Sequence, residues 1–303
     1  MNQTVALPAA TNRNAEQLGV LFAVLSATGF ATKAVFVKLA YRYGVDAITL
    51  LAMRLIGTLV ILGMIRLAWR RPAQAPISRQ DYGWLILLGL LGYYLSSVLD
   101  FIGLQTVSAG LERLVLYLYP TLTVLFSALY LKTAVTGRMI KALVLTYVGI
   151  ALVVGPGLLN AHGDIAGVLW VAGSTVAFAL YLTFSPPVIK RVGSMRFTEL
   201  ALTVSAIAML AHFFVTHPAN ALIQPWPVYA YAGITALFAT VLPLYMMAFA
   251  MSRIGAGRTA VVGSFGPIIT IVLSLGILDE HLSLIQWLGA AVVFAGVALV
   301  SRK

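Results

Sequence analysis

Apolar residues follow one another along this chain in long runs, separated by short groups of polar and charged residues. Ten runs are about 18–26 residues long, and a helix of that length crosses the hydrocarbon layer of a bilayer. The pattern predicts ten transmembrane helices, at 17–39, 46–68, 82–104, 108–131, 138–156, 164–187, 197–216, 226–251, 257–278 and 283–301. Residues 1–16 are small and polar, which predicts a disordered tail.

Part of this pattern occurs twice. The stretches 108–153 and 255–300 align without a gap at a constant offset of 147 positions, which places Pro120 on Pro267. Proline and glycine shape the backbone, so their alignment is more informative than a match between Leu or Val residues. The first predicted helix also matches the sixth, at an offset of 148.

The repeat predicts two units of five helices each, at 17–156 and 157–303. Because five is an odd number, the second unit enters the membrane inverted relative to the first. Two inverted units are related by an axis in the membrane plane and place a central cavity near the midplane between them.

The composition allows only a membrane protein. Hydrophobic residues make up 61% of the chain and charged residues 10%, whereas soluble domains carry about 25% charged residues. The chain has no cysteine, which excludes disulfides and thiolate metal sites. Its four histidines are scattered without ligand spacing, so we expect no metal and no cofactor.

Basic residues indicate the orientation. Most of the 20 Lys and Arg residues, such as Arg70, Arg71 and Lys190, fall in the loops and tails on the side of both termini. The positive-inside rule then places both termini, including the tail, in the cytoplasm. We expect the helices to lie in the inner (plasma) membrane of a bacterium. The net charge of +11 is explained by this asymmetry, and we expect no nucleic-acid partner.

Five charged residues fall inside or at the edge of predicted spans, where a charge is costly and is usually functional. They are Lys33, Arg54, Asp100, Glu112 and Arg113. One interpretation is ion pairing that holds helices together, most simply between Asp100 and Arg113. The functional interpretation makes Lys33 the counter-charge of a substrate carboxylate, or makes Asp100 or Glu112 a proton carrier that couples transport.

Prolines and polar aromatic residues mark the predicted cavity. Pro120, Pro267 and Pro243 each free a backbone carbonyl, which predicts kinks or hinges. Tyrosine hydroxyls in the middle of a span need a partner, and an aromatic cavity with hydroxyl groups suits an amphipathic solute with a flat ring. The predicted cavity residues are Lys33, Tyr93, Tyr94, Ser97, Tyr117, Tyr119, Tyr181, Tyr245, Ser264 and Phe265.

Several of these residues form a recognisable pattern. The first copy has Ser108-Ala-Gly110, Pro120 and Gly149, and the second has Gly255-Ala-Gly257, Pro267, Asp279-Glu280, Gly289 and Gly296. Both copies resemble the EamA-type repeat of the drug/metabolite transporter superfamily, although Thr133 replaces the family glutamate in the first. Within the superfamily, the chain looks most like bacterial YddG-type exporters of aromatic amino acids. The resemblance implies ten helices in a five-plus-five inverted arrangement and transport of small metabolites.

The resulting hypothesis is a secondary transporter that exports amino acids, preferably aromatic ones, by alternating access. A multidrug, nucleoside or other metabolite carrier of the same superfamily is the alternative. An intramembrane enzyme would need a cluster of acids or metal ligands, and a channel would need charged rings or exposed backbone. The expected partners are a small-molecule substrate and membrane lipid. Small residues of the last helix, including Gly289, indicate close packing with a neighbouring copy or within the monomer.

Overall fold

The computed structural model describes residues 13–68, 76–132, 165–263 and 266–301, together with helical positions between 137 and 153. These residues form helices and connecting turns, with no strand among them. Among the described residues, seven helical segments are long and apolar enough to cross a membrane, three of which consist of two consecutive helices, and two shorter apolar helices lie near the end of the chain. The protein is therefore the all-α polytopic membrane protein that the sequence predicts.

The helices of the first half of the chain are α1 (Arg13–Tyr41), α2 (Ala47–Ala68), α3 (Arg79–Gly89), α4 (Ser96–Leu104), α5 (Ala109–Leu116) and α6 (Tyr119–Leu131). Those of the second half are α7 (Ile165–Val192), α8 (Ser194–Thr216), α9 (Trp226–Ala236), α10 (Leu242–Gly263), α11 (Gly266–Ile277) and α12 (Leu284–Ser301). Two π-helical segments join α3 to α4 (Leu90–Leu95) and α9 to α10 (Leu237–Val241), and a 3₁₀ turn precedes α9 (Ala219–Leu222).

The predicted spans and the observed helices differ at several boundaries. Helix α1 begins at Arg13, inside the predicted tail, and Glu16 in its first turn complements the helix dipole. The rest of that tail lies outside the described residues, as does part of the predicted fifth span. The predicted fourth span is divided into α5 and α6, because Pro120 cannot continue a regular helical hydrogen-bond ladder.

Helices α1 and α7 each cross helices of the other half of the chain. Ser26 Oγ in α1 donates to the carbonyl of Pro243 at 2.8 Å, and Ser174 Oγ in α7 donates to the carbonyl of Ser96 at 2.7 Å. The two donors are 148 positions apart and the two acceptors 147, the same offsets that relate the repeated sequences. The two hydrogen bonds are therefore equivalent within the repeat.

Helix α10 runs past a predicted boundary. The sequence predicts a break between the spans 226–251 and 257–278, but the structure has one helix from Leu242 to Gly263, so that predicted break is wrong. A Cβ on Gly19 would lie 2.7 Å from Ile254 in α10, and a Cβ on Gly266 at the start of α11 would lie 4.0 Å from the carbonyl of Ala27. Both α10 and α11 therefore pack against α1.

The last helix packs inside the monomer. A Cβ on Gly289 would lie 2.6 Å from the carbonyl oxygen of Gly149, and a Cβ on Gly149 would lie 2.7 Å from Val293. The two glycines allow close approach between α12 and the helical positions around residue 149. These small residues of α12 therefore serve packing within the chain.

Candidate functional site

The two π-helical segments, Leu90–Leu95 and Leu237–Val241, begin 147 positions apart and so occupy the same place in the repeat. A π turn widens the helix and is frequently found at functional sites. Tyr93 and Thr240 hold equivalent positions in the two segments, and each side chain contacts a helix from the other half. The repeat offset relates these positions in the sequence, but no side-chain pattern indicated a π turn.

Four of the predicted charged residues meet in the structure. Lys33 Nζ lies 2.5 Å from Asp100 Oδ2 and 3.2 Å from Glu112 Oε1. Arg113 Nε lies 3.8 Å from Glu112 Oε2, and its Nη2 donates to the carbonyl of Phe30 at 2.9 Å. The predicted pairing of Asp100 with Arg113 is replaced by pairing through Lys33. Lys33 is thus compensated by two carboxylates.

The fifth charge, Arg54 in α2, lies beside the second π segment. Its Nε and Nη2 donate to Thr240 Oγ1 at 3.2 and 3.0 Å, and its Cζ lies 5.4 Å from the ring centroid of Phe101. Thr240 Oγ1 donates in turn to the carbonyl of Thr235 at 2.9 Å, five residues earlier. The widened turn therefore presents a hydroxyl oxygen to the guanidinium. The sequence singled out Arg54 because it is a charged residue inside a predicted span, but Arg54 was not among the predicted cavity residues.

Aromatic side chains form a ladder between α7 and the first half of the chain. The hydroxyl groups of Tyr93 and Tyr181 are 3.1 Å apart. The ring of Phe178 stacks on Tyr181 with centroids 5.7 Å apart, and Tyr119 lies edge-on to Phe178 at 5.3 Å. Tyr117 continues the ladder, 6.1 Å from Tyr119. Four of the predicted cavity tyrosines are thus brought together.

Other predicted cavity residues lie apart from the ladder. Tyr94 makes a 3.0 Å hydrogen bond with His212 Nδ1, and Tyr245 donates to Glu199 Oε1 at 2.7 Å. Tyr245 and Glu199 line a pocket between α2, α8 and α10. Ser97 is half-buried on α4. The predicted aromatic set is therefore distributed over several places.

The three predicted kink prolines lie near the beginnings of helices. Pro120, Pro243 and Pro267 are each the second residue of a helix, in α6, α10 and α11. At the start of α6 the missing N–H of Pro120 would have no intrahelical partner, so proline is tolerated there. Pro243 directly follows the second π segment, in which the N–H of Leu242 bonds to the carbonyl of Leu237. The role of the three prolines as hinges stays a prediction. Ser264 and Phe265, directly before α11, lie outside the described residues.

A carboxylate from the second half caps a helix of the first. Glu280 Oε1 accepts the N–H of Ala109 at 2.9 Å, and Oε2 accepts that of Gly110 at 3.3 Å. These two N–H groups have no partner within α5 because they lie at its N-terminus, where the helix dipole also favours a negative charge. A Cβ on Gly110 would lie 3.6 Å from Ser274 Oγ in α11. At this end of the bundle, α5 is closed against α11 and the turn that follows it.

One solved structure shares this fold, and several known proteins are similar in sequence. A solved crystal structure aligns with a TM-score of 0.56 at 19% identity, over 95% of this chain and 96% of its own. The uncharacterised transporter YcbK of Bacillus subtilis is 29% identical over 283 residues, which cover 91% of this chain and 90% of YcbK. An uncharacterised transporter of Archaeoglobus fulgidus is 22% identical over 253 residues, covering 84% and 86% of the two chains.

A family profile matches the chain twice. The profile of the EamA-like transporter family aligns with residues 17–155 and again with 165–302, close to the two predicted units. The matches cover both charge-bearing and aromatic parts of the site. The chain belongs to the EamA-like transporter family.

Proposed function

We propose that this protein is a secondary transporter that exports amino acids, preferably aromatic ones, by alternating access. The observation that carries the proposal is the pair of polar contacts at the two π segments, Arg54 with Thr240 and Tyr93 with Tyr181. Both contacts are mid-span and join the first half of the chain to the second. A movement between the halves would change both contacts, so a solute bound between the halves can be exposed to either side of the membrane.

The equivalent hydrogen bonds of Ser26 and Ser174 support two inverted five-helix units, 17–156 and 157–303, that move relative to each other. An inverted pair of units lets one set of contacts open while the equivalent set closes. With both termini in the cytoplasm of a bacterium, Glu280 and the N-terminus of α5 lie at the periplasmic end of the inner membrane. In the structure this end is closed.

The ladder of Tyr117, Tyr119, Phe178, Tyr181 and Tyr93 supports an aromatic preference. The rings lie at centroid distances of 5.2–6.1 Å, and four of the five carry hydroxyl groups. A solute with a flat ring and a polar end matches such a surface. The resemblance to YddG-type exporters points to the same substrate class and to export.

Asp100 and Glu112 are the candidates for ion coupling. Among the described residues, Asp100 Oδ1 has no hydrogen-bond partner, and the two oxygens of the buried Glu112 have only the ion-pair contacts with Lys33 at 3.2 Å and Arg113 at 3.8 Å. A buried carboxylate with so few donors is destabilised, and uptake of a proton relieves that cost. One proton at this pair would couple solute movement to the proton gradient.

The test is uptake of labelled solutes into proteoliposomes, with and without a pH gradient. The panel contains Phe, Trp, Leu, Thr, a nucleoside and a cationic dye. Saturable uptake of amino acids with an aromatic preference is expected. Movement of only the dye or the nucleoside would retain a carrier and contradict the substrate, and linear, non-saturating flux would indicate a channel.

The coupling role is tested in the same vesicles with Glu112→Gln and Asp100→Asn. A coupling residue is expected to lose gradient-driven accumulation and keep solute exchange. Loss of both processes would contradict a coupling role and leave the acids as structural partners of Lys33.

A further inference from the structure

Arg54 is a buried cation whose charge is not matched by an ion pair. It is 8% exposed, and its hydrogen-bond partner is the neutral hydroxyl of Thr240. Among the described residues, no carboxylate lies within ion-pair distance of it. Asp100 influences it only at longer range. A dry guanidinium is costly unless a partner compensates its charge.

The charges around Arg54 do not balance. The nearby ion-paired group contains two cations, Lys33 and Arg113, and two anions, Asp100 and Glu112. Arg54 adds a third cation to this region, where Asp100 influences it from outside ion-pair distance. The two carboxylates are engaged with Lys33 and Arg113. One positive charge therefore remains in the buried region, and that charge is on Arg54.

We propose that Arg54 is the residue that binds the carboxylate of the transported solute. This inference rests on the proposed function and assigns one chemical group of its substrate to one side chain. Guanidinium has five donors in a planar fork that matches a carboxylate. Thr240 uses two of these donors, from Nε and Nη2, which leaves the remaining N–H groups for a ligand.

Thr240 is the positioning residue for Arg54. Its oxygen is fixed by donation to the carbonyl of Thr235 across the π turn, and the ring of Phe101 lies under the guanidinium. The fork is thus oriented before a solute binds, which lowers the entropic cost of binding. Because Thr240 belongs to the second half and Arg54 to the first, the proposed carboxylate-binding residue lies where the two halves meet.

The first test uses the unmodified protein. Thermal stabilisation of the purified protein is measured with matched acids and primary amides: phenylalanine and phenylalaninamide, leucine and leucinamide, and phenylacetate and phenylacetamide. We expect the acids to bind at least about tenfold more tightly, because the amides cannot form the charge-assisted pair. Equal binding of acids and amides, or binding of none of the acids, overturns the proposal.

The second test uses variants in proteoliposomes. Arg54→Gln is expected to raise the KM for the acid at least about tenfold and to leave the KM for its amide within twofold. Arg54→Lys restores the charge without the fork and is expected to recover only part of the affinity. Arg66→Gln, an exposed arginine of the same helix, is the matched control and should behave as the unmodified protein.

Variants of Thr240 test the same carboxylate contact if Arg54→Gln fails to fold. Thr240→Val removes the oxygen that orients the fork and should raise the KM for the acid without changing kcat, whereas Thr240→Ser should restore it. Equal KM values in the two variants contradict the assignment. The proposed function fails separately, by the absence of saturable movement of any solute in the panel.

Discussion

Charged residues inside the membrane spans are distributed unevenly between the two halves of the repeat. Lys33 has two carboxylate neighbours, while the fully buried Glu112 has, among the described residues, only its ion-pair contacts with Lys33 at 3.2 Å and Arg113 at 3.8 Å. The equivalent position of Lys33 in the second half is Tyr181, which carries no charge and bonds to Tyr93. One half of the repeat thus carries the ion pairs and the other the aromatic ladder.

Removing one member of the Lys33–Asp100 pair is expected to destabilise the protein. Asp100→Asn leaves the ammonium short of compensation, and breaking a buried pair typically costs about 3–5 kcal/mol. The double variant Lys33→Met/Asp100→Leu removes both charges and should lose less stability than the sum of the single variants. Thermal unfolding in detergent measures the difference. Strictly additive losses would show that the 2.5 Å contact is not a coupled pair.

Asp46, outside the membrane-spanning helices, gives a prediction for pH. Burial raises the pKa of its carboxyl, but hydrogen bonds from Thr49 and Ile48 and the nearby His217 outweigh this and hold the pKa below its usual range. A lowered folded-state pKa stabilises the protein above the unfolded value of about 3.9. That contribution is lost as the pH falls through the folded-state pKa.

The measurement is the melting temperature of the unmodified protein and Asp46→Asn between pH 3 and 6. Asparagine keeps the capping acceptor and removes the charge, so the difference between the two proteins should shrink as the pH falls below about 4. A difference that stays constant over this range would contradict the role of the charge.

At the level of elements, the apolar runs were sufficient to locate the helices but not their irregularities. Length and hydropathy predict a span, because crossing a bilayer requires only those properties. The π segment Leu90–Leu95 and the break after Leu116 depend on the residues that pack against them. Tertiary contacts such as Tyr181 against Gly92 decide this, and they join residues far apart in sequence.

The contacts of the candidate site also depend on tertiary packing that the sequence pattern does not determine. The charged residues were identifiable because charge is rare in a span, but their pairing through Lys33 depends on the approach of α1, α4 and α5. The tyrosines were identified as a set, yet Tyr94 and Tyr245 face other partners. Helix rotation separates them, and residue type alone does not determine it.

Gly92→Ala tests the packing at the first π segment. A Cβ at this position would overlap the Cβ and ring of Tyr181, so the ladder must shift. We expect a loss of about 1–3 kcal/mol in stability, the usual cost of overpacking, and weaker transport of aromatic solutes.

Gly83→Ala is the matched control, since nothing lies within 4 Å of its added Cβ. Alanine is a better helix former than glycine, so this variant should be as stable as the unmodified protein or slightly more stable. Equal melting temperatures for the two variants would contradict tight packing between Gly92 and Tyr181.

For the whole molecule, the equivalent contacts of α1 and α7 indicate two halves that hold each other in the same way. Ser26 and Ser174 make equivalent hydrogen bonds, and the family profile matches each half. At one end, Glu280 and α11 close against α5. Alternating access requires this closure to open for the solute to leave.

A reversible cross-link tests that requirement most directly, and the absence of cysteine from the chain makes it specific. Gly110→Cys and Ser274→Cys together place two thiols at the closed end, where the glycine Cβ would lie 3.6 Å from Ser274 Oγ. After oxidation, exchange of labelled solute in proteoliposomes is expected to stop, and reduction is expected to restore it. Each single-cysteine variant should be unaffected by the oxidant. Continued exchange by protein that is fully cross-linked would contradict alternating access between the two halves.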